Sequence, residues 1–211
     1  FTDLDYEAAL AKAKEQQKLL FVDFTATWCG PCKRMEAETW LSAEVVAWLS
    51  EHAIAIQVDV DKQKNLAQQF KVKTMPTVVV LRGGEEFDRA VGYKDAPGFL
   101  AWARDVAAGK RSIDELMKRA KDLAESDDVR ARYELADDLL TAGQYEQALE
   151  HYLWVWPESR KVMGMEGVRL SFMLSEMADL AREYPPAKQA FLGIVDGVQA
   201  QVDAEWLPES L

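Results

Sequence analysis

An α/β domain on a mixed sheet, followed by an all-α half, is the fold class this sequence predicts, and three observations predict it. From residue 6 to residue 91, strand-length apolar runs alternate with helical periodicity and close in a hairpin. From residue 111 onward no convincing strand pattern occurs. Charge divides at the same place, with net −2 over residues 1–110 and net −9 over 111–211, inside a total of −11. The expected boundary follows Gly109-Lys110-Arg111 and gives domains 1–109 and 110–211, each near the usual size for an independent core.

The elements of the first half follow from local pattern. Tyr6, Ala9, Leu10 and Ala13 share one helical face behind an Asp3 or Asp5 cap. Leu19 to Phe24 is an apolar run of strand length, suited to burial on both faces, and Gly30-Pro31 breaks the pattern after it. Val45, Val46, Trp48 and Leu49 are expected to continue one helix begun at Cys29, which His52 closes. Ala53 to Val58 reads as a strand and Lys62 to Phe70 as a short helix. Thr77 to Leu81 pairs with Glu86 to Val91 across Gly83-Gly84, and Phe99 to Ala107 is the closing helix.

In the second half, Leu135, Ala136, Leu139, Gly143, Tyr145, Ala148 and Tyr152 fall at the intervals of a tetratricopeptide helix–turn–helix. Gly143 ends the first helix, Tyr145 begins the second, and the small Ala136 and Ala148 let the two approach closely. Tyr145, Leu149, Tyr152, Leu153 and Trp156 form one predicted stripe; Trp154 lies off it and is expected to touch a third element. Pro157 comes about three residues early for a regular repeat. Met173, Met177, Leu180 and Tyr184 define a further helix face up to Pro185-Pro186, and Phe191, Ile194, Val195, Val198 and Val202 another. Such stripes are more often core than ligand box.

Both cysteines of the chain lie in Trp28-Cys29-Gly30-Pro31-Cys32-Lys33, with two residues between them. At a strand-to-helix junction, Cys29 meets the unpaired N–H groups and positive end of the helix, which stabilise a thiolate. Cys32, one turn on, can then resolve a mixed disulfide. Half of a structural zinc site has the same spacing, but the only histidines are His52, at a helix end, and His151, in the other half of the chain. An inert buried pair is the other alternative. Asp23 interrupts the Leu19–Phe24 run; buried there its pKa rises, making it a candidate proton acceptor for Cys32, whereas at a strand end it would face solvent.

The residues Phe21-Val-Asp-Phe-Thr-Ala-Thr-Trp-Cys-Gly-Pro-Cys-Lys33, Val58-Asp-Val-Asp61, Val72-Lys-Thr-Met-Pro-Thr77, the strand Val78 to Leu81, Gly83-Gly84 and Val91-Gly92 resemble the thioredoxin family in order and spacing across about residues 1–109. The resemblance implies a thioredoxin fold, Cys29 as attacking thiol and Cys32 as resolving thiol. It also implies Pro76 as a cis proline facing them, with the Met75 backbone free to pair with an extended client. Trp28, Gly30, Pro31, Met75, Pro76 and Gly92 are the implied client-binding residues. Two departures stand out: Thr25 where small thioredoxins carry tryptophan, and Gln57 where they carry a lysine near the aspartate. The Thr25-Ala26-Thr27 and Lys33-Arg34-Met35-Glu36 flanks look more like exported thioredoxin-like reductases.

The functional expectation is a thiol–disulfide oxidoreductase that reduces protein disulfides, needing no organic cofactor and no metal, with electrons from a partner reductase. The helical half is expected to bind partner or client peptides or to self-associate. A different class competes: a chaperone-like scaffold whose helices bind polypeptides while redox activity is secondary. The acidic second half disfavours nucleic acid, and no apolar run is long enough to span a bilayer. A chain that starts at Phe1 and holds no third cysteine suits a periplasmic or otherwise exported location, with the cytoplasm as the alternative.

Overall fold

The computed structural model describes residues 1–206, with side chains described through residue 196. The chain divides into two compact units, Phe1–Asp114 and the part from Glu115 onward.

The first unit opens with α1 (Tyr6–Glu15), whose cap is Asp5 accepting from the Ala8 N–H at 2.8 Å. Seven consecutive buried residues form β1 (Leu19–Thr25), as a strand covered on both faces requires. Then follow α2 (Gly30–Glu38), α3 (Ala43–His52), β2 (Ala53–Asp59), α4 (Lys64–Gln69), β3 (Thr77–Arg82), β4 (Glu85–Val91) and α5 (Ala96–Ala107). The sheet order is β2-β1-β3-β4. β1 runs parallel to β2 and antiparallel to β3, and β3 pairs antiparallel with β4, so the sheet is mixed.

Strand alternation builds a core on each face. Leu19 and Phe21 join Met35, Trp40, Trp48, Val80 and Phe99 on one side. Leu20, Val22 and Phe24 join Ala9, Ile54, Ile56 and Val79 on the other. Each such large side chain contributes about 1.5–3 kcal/mol through burial. Asp95 caps α5, its Oδ1 accepting from the Gly98 N–H at 2.9 Å. A Cβ at Gly98 would stand 2.8 Å from that oxygen, so the cap needs glycine there. Asp95→Ala is expected to destabilise the protein by about 1 kcal/mol, read as a lower urea midpoint.

One continuous helix from Cys29 to His52 does not form. Residues 39–42 break it: Met35 O accepts from both the Thr39 and Trp40 N–H groups, Thr39 Oγ1 donates to Lys94 O at 2.6 Å, and Ser42 starts α3 afresh. The break turns Trp40 inward between the rings of Phe1 and Phe99. Val46 is consequently half exposed rather than core.

The second unit is helical among its described residues. Its elements are α6 (Ser112–Leu123, which begins in the first unit), α7 (Val129–Thr141), α8 (Tyr145–Glu158), α9 (Glu166–Val168), a π-helical stretch Arg169–Met173, α10 (Leu174–Glu183) and α11 (Pro185–Trp206). Gly143, at φ 73°, turns the chain between α7 and α8, and Ala136 and Ala148 are fully buried. The predicted α8 stripe is rotated. Ala148, His151, Tyr152 and Val155 are its buried positions, whereas Leu153 is exposed.

Trp154, off the predicted stripe, meets Arg132 of α7 and packs against the core of the second unit. The Arg132 guanidinium sits 3.8 Å above its ring, and Arg132 Nη1 donates to the Ala124 and Ser126 carbonyls beyond α6. Pro157 lies inside the last turn of α8. Met173, Met177 and Leu180 are buried as expected, and Tyr184 partly so. On α11, Phe191 and Ile194 are half-buried, Val195 is exposed, and Val198 and Val202 lie outside the described side chains. Sequence patterning missed Glu176, which accepts from Tyr133 Oη at 2.9 Å and Tyr152 Oη at 3.2 Å and so ties α10 to both helices of the pair.

Candidate active site

Where β1 ends, residues 26–28 lead directly into α2, and Cys29 is its N-cap with extended backbone. The Cys29 Sγ accepts from the Cys32 N–H at 3.2 Å. Pro31 lies in the first turn, where its missing N–H leaves no hydrogen bond unmade, and no acidic residue lies in that turn. The helix N-terminus and the Cys32 N–H thus both present positive partial charge to the Cys29 sulfur. Cys29 and Cys32 are joined in a disulfide with S–S 2.03 Å and Cα–Cα 5.3 Å. Cys29 is 5% exposed and Cys32 2%, so the accessible edge of the pair belongs mainly to Cys29.

Ala26, Val60 and Met75 pack around the two sulfurs. The Met75–Pro76 bond is cis, and Pro76 O accepts from the Gly92 N–H at 2.8 Å. Gly92 has φ 86°, a conformation other residues rarely adopt, while a Cβ there would meet nothing within 4 Å. Backbone conformation rather than space therefore requires glycine. Gly30 is likewise open, with nothing within 4 Å of a Cβ built there. Trp28 is 65% exposed, and its Nε1 donates to Asp61 Oδ2 at 2.8 Å. The indole is thus anchored at one end and leaves an apolar face exposed next to Cys29 in the chain.

Beneath the disulfide helix, Asp23 is 2% exposed, which settles its orientation inward. Its Oδ2 accepts from Trp40 Nε1 at 3.0 Å and Gln57 Nε2 at 3.1 Å. Its Oδ1 is buried without a partner. Burial raises the Asp23 pKa to about 6; the Gln57 and Trp40 hydrogen bonds pull it down, and the Glu36 charge adds to the rise.

Sequence reasoning placed Cys29, Cys32 and Asp23 correctly on their elements but missed Trp40, Glu36 and Asp61 as contributors. Asp61 lies in the Val58–Asp61 segment, where nothing local signals its hydrogen bond to Trp28; Trp40 carries no signal beyond an apolar character, since its contact depends on the break at residues 39–42. His52 stacks on Trp48, and His151 lies buried in the second unit with its pKa lowered by burial and by Arg132.

A family model described as Thioredoxin matches residues 1–105. A Thioredoxin H-type of Fagopyrum esculentum is 36% identical over 94 residues, covering 42% of this chain and 72% of that protein. A Thioredoxin H-type of Oryza sativa subsp. indica is 37% identical over 91 residues, covering 42% of this chain and 69% of its own length. The solution structure of a thioredoxin from Thermus thermophilus aligns with a TM-score of 0.45 and 29% identity, over 48% of this chain and 82% of that one.

Proposed function

We propose, for a chain that belongs to the thioredoxin family and is a thiol–disulfide oxidoreductase, that it works as a reductant of protein disulfides. The observation that carries this reading is the Cys29 sulfur at the helix N-terminus, within reach of Cys32. In the reduced state the Cys29 thiolate attacks a client disulfide, forming a Cys29–client bond and releasing one client sulfur as thiolate. Cys32, losing its proton to Asp23, then attacks Cys29 Sγ; the intramolecular disulfide forms and the second client sulfur leaves. A partner reductase returns two electrons to the pair.

Trp28, Gly30, Pro31, Met75, Pro76 and Gly92 form the client groove in this reading. The exposed indole supplies apolar contact, and the backbone beside Pro76 offers hydrogen bonds to an extended strand. The α7–α8 hairpin is proposed as a tetratricopeptide-like element through which the second unit binds partner or client peptides or a second copy. With no third cysteine to form stray disulfides, the chain suits an exported, periplasmic setting.

Redox titration against glutathione tests the direction of flow: a strongly negative potential, near or below the thioredoxin range of about −270 mV, is expected for a reductase. A potential near about −120 mV would instead make the protein an oxidant. The scaffold reading keeps one discriminating experiment. A Cys29→Ser, Cys32→Ser double variant that still suppresses client aggregation as the parent does would move the main activity to the helical unit.

A further inference from the structure

Two donors meet at Asp23, and one of them joins it to a second carboxylate. Trp40, in the break after α2, donates to Oδ2; Gln57, its register partner on β2, donates to the same oxygen; and the same Gln57 Nε2 donates to Glu36 Oε1 on α2 at 3.3 Å. The register partner on β3 is the apolar Val78. An amide nitrogen has two hydrogens, so Gln57 can serve both carboxylates at once. One Asp23 oxygen is thereby doubly bonded, while the other, Oδ1, is buried and bare. A bare buried oxygen costs more as part of a carboxylate, whose charge is left without water, than as part of a neutral carboxyl group.

Glu36 lies four residues after Cys32, hence on the same face of α2, with about 5–6 Å between the Cβ atoms of such a pair. Gln57 therefore links Asp23 to the helix face that also carries Cys32.

We propose that Gln57 is a positioning residue for disulfide exchange: by holding Asp23 Oδ2 and Glu36 Oε1 together, with Trp40 as second donor, it makes Asp23 Oδ1 the oxygen that receives the Cys32 proton. This rests on the redox reading above. In the resolving step the Cys32 S–H proton passes to Oδ1, and the freed electron pair forms the Cys32–Cys29 bond. The Cys29–client bond breaks towards the client sulfur, which leaves as thiolate and takes a proton from water. Asp23 afterwards returns its proton to solvent. Glu36, as an anion on the shared amide, opposes the charge on Asp23, and the two N–H donors favour it. The titration of Asp23 is thus set by a balance that Gln57 holds in place.

Two measurements test the proposal. Carboxyl-carbon NMR on the oxidised protein follows the Asp23 midpoint without any client, with Asp23→Asn assigning the resonance. Stopped-flow reaction of the reduced protein with dithiobis-nitrobenzoate resolves two releases of thionitrobenzoate, the second reporting the Cys32 step. Glu36→Gln is expected to lower the Asp23 midpoint and to speed the second release at about pH 5.5 by roughly twofold for a midpoint lowered by about half a pH unit. Gln57→Leu is expected to raise the midpoint and slow that release by roughly the same factor. In both variants the pH midpoint of the second release should move with the NMR midpoint, in the same direction and by the same amount, which a general structural disturbance would not produce. If Gln57→Leu fails to fold, Gln57→Glu keeps the shape, adds a third carboxylate and is expected to raise the midpoint as well. Unmoved midpoints, or shifts in the same direction for Glu36→Gln and the Gln57 variant, overturn the proposal. A parent protein with no second release would sink the redox reading instead, while the NMR midpoints still decide the coupling.

Discussion

Replacing Cys29 by Ser is expected to lower disulfide reduction by about a thousandfold or more, because a hydroxyl in the same place does not ionise near neutral pH and the step needs an anionic nucleophile. The helix N-terminus and the Cys32 N–H stabilise charge on whatever atom caps the helix. They cannot supply the polarisable sulfur that attacks another sulfur. Cys32→Ser should behave differently. Attack through Cys29 proceeds, no second sulfur is present to resolve the adduct, and a mixed disulfide with the client accumulates. Mass spectrometry under non-reducing conditions reads both outcomes. A Cys32→Ser protein that stays unmodified beside an oxidised client would remove Cys29 from the attacking role.

Asp23→Asn is expected to be more stable relative to the parent at pH 8 than at pH 4, by up to about 3 kcal/mol. The sign follows from burial. Folding raises the Asp23 pKa from 3.8 to about 6, so between those values the native state binds more protons than the unfolded chain. Parent stability is therefore full below the unfolded pKa and falls as pH rises through the folded one. Asparagine does not titrate and carries no such loss. Any fixed effect of placing an amide against the unpartnered Oδ1 position is common to both pH values and cancels in the comparison. Urea unfolding of both proteins at the two pH values measures the difference. A pH-independent gap between them would show that Asp23 does not titrate from a buried position.

The two expectations differ in how far residues alone could carry them. Cys29, Gly30, Pro31 and Cys32 are consecutive, and a strand followed by a helix start is a local pattern, so the nucleophile and its helix N-terminus were legible directly. Burial of Asp23 was legible from its apolar neighbours on β1. Its surroundings were not: Trp40 is 17 residues away and Gln57 is 34, and both contacts come from tertiary approach. Reading one helix from Cys29 to His52 concealed the Trp40 contact, because an unbroken helix would not release Trp40 towards β1. Ser42, a residue type favoured at helix starts, marks the new start within this stretch.

In the second unit, periodicity located α7 and α8 and the turn at Gly143, since those depend on local propensity and one glycine at positive φ. It did not find which α8 face is buried. Apolar side chains occur around much of α8, and its buried face is fixed by α7 and by Glu176 of α10, which gathers two tyrosine hydroxyls.

By itself the sequence determined what is short-range: strand and helix positions, the two-unit order, and a dithiol whose reactivity depends on its own helix end. Tertiary structure alone decided what is long-range: the inward turn of Trp40, the amide shared by two carboxylates, and the bare oxygen of Asp23. Hydrogen bonds between residues distant in sequence depend on backbone packing, whereas propensity, capping and periodicity depend on neighbours within a turn or two.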